Sequence, residues 1–231
     1  MNLSQRSYTR ELLDGDNIPF DDIRQNMYEL NKVNTLLGGH AVSIAGLKRL
    51  LGSQKTVTIC EIGCGGADNM IALNKWCTNN HINASFIGVD IKPECIGYAK
   101  QQMKTDATWL VSDYRQVVFE QKPEIIFSSL FCHHFSDEEL VEQISWMHLN
   151  STAGFFINDL HRHSLAYWSI KFLTSCFSSS YLVKNDAPLS VARAFKRSDW
   201  RRVFKAAGLT TYQISWKWAF RYLITYNNAA K

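Results

Sequence analysis

No run of about 18 uncharged apolar residues occurs in this sequence, so no segment reads as a membrane span. The polar N-terminal stretch, Met1 to Asp16, lacks the apolar core of a signal peptide, and the chain is read as cytoplasmic. Lys and Arg occur singly or in pairs such as Arg201-Arg202, never in a basic block. The net charge of +4 is too small and dispersed to argue for nucleic acid as a partner. The six cysteines show neither CxxC pairs nor a regular framework, which excludes a disulfide scaffold and leaves reduced, mostly buried thiols. Internal repeats and low-complexity segments are also missing. The 231 residues therefore suffice for one globular domain with a full core, a class that 46% hydrophobic and 20% charged residues fit.

What the sequence does contain is a β-branched, apolar run from Val57 to Ile62 leading into Gly63, Gly65 and Gly66 and then a helical pattern through Met70, Ile71, Leu73 and Trp76. Glycines at such a turn let a ligand lie against main-chain N–H groups at a helix N terminus. A dinucleotide fingerprint wants a third glycine where Asp68 stands, and Glu61 is a second acid beside the turn. Two carboxylates repel a pyrophosphate. They suit a ligand with an ammonium, a sulfonium and no phosphate, which is S-adenosylmethionine (SAM). A second strand, Ala84 to Val89, ends on Asp90, whose carboxylate can accept both ribose hydroxyls.

The ordered set Glu61-x-Gly63-x-Gly65, then Gly88-Val89-Asp90, then Ser112-Asp113 resembles the successive cofactor motifs of class I SAM-dependent methyltransferases. Gly63, Gly65 and Gly66 are assigned to backbone contact with the methionine part of SAM, and Glu61 to ordering the turn and supplying negative potential. Ile91 is expected on the adenine face, and Ser129, closing the fourth strand, is grouped with the cofactor residues. The resemblance implies that Asp113 accepts the adenine amino group and that the Tyr114 N–H serves a ring nitrogen.

Further strands are expected at 107–111, 124–130 and 154–159, alternating with helices, one of them opened by Pro93 and another by a capping box from Ser136 to Glu139. Strand alternating with helix at these lengths gives an α/β, doubly wound, mostly parallel seven-stranded sheet with helices on both faces and ligands at the carboxyl ends of the strands. The tail from Thr211 to Tyr226 alternates enough for two strands, which the resemblance makes an antiparallel pair at the sheet edge. Its Trp216, Trp218, Phe220 and Tyr222 suit a membrane surface as an alternative. Two helices precede the first strand, so 1–52 is expected as an N-terminal helical cap, or as packing against the sheet, and 53–231 as the SAM-binding domain. Residues 1–18 are expected to be loosely ordered, and the polar stretch 178–195 to be a functional loop within a lid over about 160–197.

Methylation of DNA bases is excluded by two further absences: no Asn/Asp-Pro-Pro-aromatic turn and no Pro-Cys nucleophile follows the fourth strand. A small lipophilic acceptor remains, an oxygen of a phenol, quinol or polyketide-type metabolite or a quinol ring carbon, whose proton must leave as the methyl arrives; the alternative from another class is a catalytically silent SAM-binding partner of a biosynthetic complex. Histidine suits that task because it titrates near neutrality. His133 and His161 follow the fourth and fifth strands and are the candidate bases, with His134, Tyr167 and Arg193 as substrate-binding residues. Tyr167, Trp168 and Phe172 are expected to line an aromatic pocket, and Arg193 to orient a phenolate or carboxylate. The stretch from Asn158 to Phe195 resembles bacterial methyltransferases of quinone and polyketide pathways. No metal is expected, since no carboxylate or thiol stands at helical spacing with these histidines. The oligomeric state is left open.

Overall fold

The run of β-branched and apolar residues at Thr56–Ile62 forms β1, and six further strands assemble around it: β2 (Asn83–Asp90), β3 (Ala107–Val111), β4 (Ile125–Ser129), β5 (Gly154–Leu160), β6 (Tyr212–Lys217) and β7 (Arg221–Asn227). In the computed structural model, which describes residues 2–15 and 18–228, they make one sheet in the order β3-β2-β1-β4-β5-β7-β6. Met1, Asp16, Asn17 and residues 229–231 lie outside the described residues, and with them the outer limits of the expected cap and domain. The sheet is mixed. β1 to β5 pair in parallel, whereas β7 runs antiparallel to β5 and β6. The order reverses between β1 and β4, and at such a switch point a crevice opens at the carboxyl ends of the strands.

Eight helices are described: α1 (Phe20–Leu36), α2 (Gly39–Leu51), α3 (Asp68–Asn79), α4 (Pro93–Gln102), α5 (Asp137–Asn150), α6 (Ser164–Phe177), α7 (Tyr181–Arg193) and α8 (Arg197–Ala206). Alternate residues of a strand point to opposite faces, so β1 feeds two cores. Val57 and Ile59 pack with Leu47 of α2, Leu73 of α3 and Ile96 of α4, while Cys60 and Ile62 pack with Ile144 of α5 and Trp200 and Phe204 of α8. The capping box at α5 forms as its sequence demands: Ser136 Oγ accepts from the Glu139 N–H at 3.2 Å, and the Glu139 carboxylate accepts from the Ser136 N–H at 2.8 Å. All six cysteines are free and only Cys176 is exposed. Among the described residues no helix is long and apolar enough to cross a membrane. Of the tail aromatics, Tyr222 is buried, and Trp216 and Trp218 are the exposed pair.

Two sequence expectations fail here. Most of the stretch 178–195 is a helix, α7 (Tyr181–Arg193), and not a polar loop, although Pro188 sits inside it. Its corner is fixed from outside: the Glu29 carboxylate on α1 accepts from the Ser178 hydroxyl, from the Ser179 N–H and hydroxyl, and from the Ser180 N–H. Val183, Asp186, Val191 and Ala192 then bury one face of α7, and that burial overrides the turn signal of Pro188. The N-terminal segment is likewise ordered. Asp186 accepts from the Leu12 and Leu13 N–H groups at 2.8 and 2.9 Å, and the buried Arg6 guanidinium donates to Asp137, to the Phe135 carbonyl and to the Arg193 carbonyl.

Gly46 shows how closely α2 approaches the sheet. A Cβ placed on it would stand 2.5 Å from the ring of Phe156, which is fully buried and stacked on Phe127 with centroids 4.8 Å apart. Gly46→Ala gains about 1 kcal/mol of helix propensity and loses about 1–3 kcal/mol to overpacking. A lower urea midpoint is expected, and an unchanged or higher one would show that α2 can move off the sheet freely.

Candidate active site

The glycine turn after β1 adopts backbone that favours glycine, with φ of +67° at Gly63 and +49° at Gly65. At Gly63 a side chain would also strike the ring of Phe131, 2.3 Å from the ideal Cβ. Asp90, at the end of β2, ties the turn in place: one carboxylate oxygen accepts from the Gly65 N–H and the other from the Lys92 N–H, both at 2.9 Å. Each oxygen keeps a second lone pair for a ligand. Glu61, Gly63, Gly65, Gly66, Asp90, Ile91 and Ser129, scattered over 69 residues of sequence, line one cavity of about 500 Å³. Ile23, Met27, Leu30 and Asn34 of α1 close its other side.

Two fully buried side-chain atoms of residues lining this cavity have no hydrogen-bond partner, Glu61 Oε2 and Ser129 Oγ. Burial, followed by the carboxylates of Asp68 and Asp90, pushes Glu61 well above the usual carboxylate range. Glu61 is therefore shifted toward its neutral acid, which weakens its expected role as a source of potential; burial raises Asp90 too, against the hydrogen bonds from the Lys92 and Gly65 N–H groups. Burial alone would raise Asp68 as well, but hydrogen bonds from His40 (2.9 Å) and Asn34 (3.0 Å) overcome it and keep Asp68 below its ordinary value. Asp113 and Tyr114 do not line the cavity. Asp113 is bound by the Arg115 guanidinium at 2.6 Å, and the Tyr114 ring is buried against Phe131, Phe135 and Trp146.

A second cavity of about 340 Å³ shares Leu13, Leu30, Asn34, Leu130 and His134 with the first. Its wall is mostly apolar, from Val33 of α1 and Leu37 just after it, Ile170 and Leu173 of α6, Val183 and Val191 of α7, and Phe220. The expected aromatic lining is not there. Trp168 and Phe172 are on the outer face of α6, 58% and 66% exposed, and the buried Tyr167 packs against Val191 and Ala192 outside the cavity.

His133 lines this second cavity, and His134 lines both. His133 Nδ1 lies 2.8 Å from Asp159, which burial would raise but which His133 holds below its usual range. His133 Nε2 lies 3.7 Å from the buried Glu11 carboxylate. His161 lies outside both cavities, against Tyr222 and His163, and burial together with His163, Arg162 and Lys196 lowers it to about 4. Arg193 is a buried tie and not a substrate clamp: it donates to the carbonyls of His133 (3.0 Å), His134 (2.8 Å) and Thr9 (3.0 Å) and to Asp14 (2.9 Å).

Glu11 is the functional candidate that sequence reasoning missed, because a lone acid in a polar N-terminal stretch gives no signal. It lines the second cavity, and together with His133 and His134 it brings donor atoms within 4.8 Å of one another, so a carboxylate does join the histidines where sequence spacing showed none. Burial raises Glu11 to about 7, against the lowering effect of His134, Ser190 and Arg193. The folded chain thus keeps this proton up to about pH 7, whereas the unfolded chain releases it near 4.5. Between those values the native state binds the extra proton, so stability falls as pH rises. Glu11→Gln keeps an acceptor for Ser190 and removes the titration. Its melting temperature relative to wild type should climb between about pH 5 and pH 8, and a difference independent of pH would disprove the shift.

Residues 59–149 match the methyltransferase domain family. No curated protein matches the chain. Solved structures share the fold at low identity. The plantazolicin methyltransferase BpumL, bound to S-adenosylhomocysteine and a triazolic desmethylPZN analogue, has a TM-score of 0.65 at 17% identity, over 85% of this chain and 74% of that one. Magnesium protoporphyrin IX methyltransferase from Synechocystis, bound to SAM, gives 0.56 at 15%, over 94% and 88%. Human N-acetylserotonin methyltransferase, bound to SAM, gives 0.62 at 14%, over 90% and 56%. With the matched domain spanning the glycine turn, the Asp90 strand end and Ser129, the chain is a SAM-dependent methyltransferase and SAM is its cofactor.

Proposed function

We propose that the protein methylates a small apolar acceptor held in the second cavity, at an oxygen of a phenol, quinol or polyketide-type ring, with His133 taking the acceptor's proton. The observation that carries this reading is the shared wall: the glycine cradle opens on one side of Leu130 and His134, and an apolar cavity bearing His133 opens on the other. The fold does not choose the acceptor, since the neighbours are named for molecules as unlike as plantazolicin, magnesium protoporphyrin IX and N-acetylserotonin. Nucleic acid is outside the proposed acceptors, given the dispersed positive charge.

The residues of the first cavity fit SAM. Asp90 has free lone pairs for the ribose hydroxyls, Glu61 Oε2 and Ser129 Oγ lack protein partners, and Asp68 and Asp90 give the cradle a negative field suited to an ammonium and a sulfonium. When bound, SAM supplies an electrophilic methyl group for in-line transfer, a reaction in which positioning contributes most of the rate. Asp159 accepts from His133 Nδ1, so the lone pair lies on Nε2, the nitrogen that takes the proton. Glu11, 3.7 Å from Nε2, stabilises the resulting imidazolium above about pH 7, where its own carboxyl is ionised. The helical segment 1–52 acts as a cap: Glu11 and Leu13 together with α1 wall off both cavities and exclude water from the transfer.

Asp90→Ala removes a charged acceptor from two hydroxyls, each bond worth about 1.5–3 kcal/mol, and calorimetry should show SAM affinity reduced at least about tenfold. Wild-type affinity would remove Asp90 from the cofactor site. His133→Ala should lower kcat by about 10²- to 10⁴-fold, leave the Kd for SAM unchanged and remove an ionisation from the rate profile. A loss below about tenfold would mean that the acceptor arrives already ionised and that His133 carries no proton.

A further inference from the structure

Four arginines are buried. Three of them meet a carboxylate: Arg6 meets Asp137 at 2.7 Å, Arg162 meets Asp199 at 3.0 Å and Arg193 meets Asp14 at 2.9 Å. Arg221, at the start of β7 and 3% exposed, pairs with no carboxylate among the described residues, and it lines the second cavity. Its guanidinium rests on two neutral amide oxygens, those of Asn34 (2.7 Å) and Asn158 (3.3 Å). Both amides are fixed oxygen-forward, because the Asn34 nitrogen donates to Asp68 and the Asn158 nitrogen donates to the Gly39 carbonyl and to Ser43.

The two acids whose charges reach Arg221 are occupied elsewhere, Asp68 by His40 and Asn34, and Asp159 by His133. Burial lowers Arg221 to about 10, and the two distant acids only partly offset it. The N terminus of α2 adds positive potential at the same point: a Cβ on Gly39 would lie 3.1 Å from the guanidinium carbon. A desolvated cation without a counter-ion is costly to keep, and here it faces an apolar cavity.

We propose that Arg221 is the anion anchor of the acceptor cavity and that the acceptor is an apolar molecule carrying a carboxylate. The proposal rests on the reading of the second cavity as the acceptor site. A carboxylate entering from the cavity forms charge-assisted hydrogen bonds in a low-dielectric setting. A neutral analogue leaves the guanidinium unpaired and is rejected for that reason. Arg221 thereby takes the part that the sequence suggested for Arg193, whose donors are spent on the chain itself.

The test compares 2-naphthoate with its neutral isostere 2-naphthamide by calorimetry on the full chain, for wild type, Arg221→Gln and Arg221→Lys, with melting temperatures and a SAM titration on each preparation. Wild type should bind the carboxylate at least about tenfold more tightly than the amide. Arg221→Gln should bring the two within about twofold, while Arg221→Lys, which keeps the charge, should retain part of the preference. Equal binding of the two ligands to wild type, or an undiminished preference in folded Arg221→Gln, overturns the anchor and leaves the acceptor reading standing. Binding of neither ligand while SAM still binds sinks the acceptor reading together with the anchor. Should Arg221→Gln fail to fold, the wild-type ratio decides alone, and a value below about threefold counts against the proposal.

Discussion

The Arg193 guanidinium joins parts of the chain that lie far apart in sequence. From the end of α7 it donates to two consecutive carbonyls of the turn after β4, those of His133 and His134, and to Thr9 and Asp14 of the N-terminal segment. The carbonyls it holds belong to the two histidines at the junction of the cavities, and the segment it holds carries Glu11 into the second cavity. A buried guanidinium with several fixed acceptors is costly to leave half satisfied, so these groups are kept in register as a unit. Asp186 and Arg6 extend the same arrangement, so α7, the N-terminal segment and the His133 turn form the roof over the strand ends.

Under that roof the two cavities differ in charge. The first collects Asp68 and Asp90, with Glu61 shifted toward its neutral form by burial and then by their proximity. The second is mostly apolar, and its ionisable groups are the histidines, Glu11 and Arg221. A cofactor bearing a sulfonium and an ammonium belongs with the carboxylates, and the anionic acceptor proposed above belongs with the arginine, so on that proposal the field sorts the two ligands before any shape is read. Asn34 links the sides physically, donating to Asp68 and accepting from Arg221.

The cofactor side was legible in the sequence because its determinants are local. A glycine turn, an acid at a strand end and a capping box each act through backbone within a few residues, and the family's motifs fall in fixed order. Five parallel strands could be read from apolar runs for the same reason. The acceptor side was illegible because its determinants are distant pairings. Pro188 reads as a turn until the Glu29 carboxylate and a buried face hold α7 in helix, and Arg193 reads as a clamp until its donors are counted. Trp168 and Phe172 look like a pocket stripe, yet the helix presents Ile170 and Leu173 inward instead. Arg221 opens a strand whose alternation suggested only an edge, and nothing in the sequence reveals that its neighbours are amides and not acids.

These distant pairings also bear on how substrates enter. α1 and the N-terminal segment wall both cavities, so either ligand must pass elements whose contacts to the core are hydrogen bonds and ion pairs more than apolar packing. Ile23 is the only fully apolar side chain buried on α1, beside Asn26 and Asn34. Elements with few buried apolar contacts open at lower free energy than the sheet beneath them. A cap held by polar contacts can therefore lift while β1, β4 and β5 keep the cradle intact. Closing it again returns Glu11 to His133, so in the proposed reaction exclusion of water and assembly of the His133 site occur in one movement.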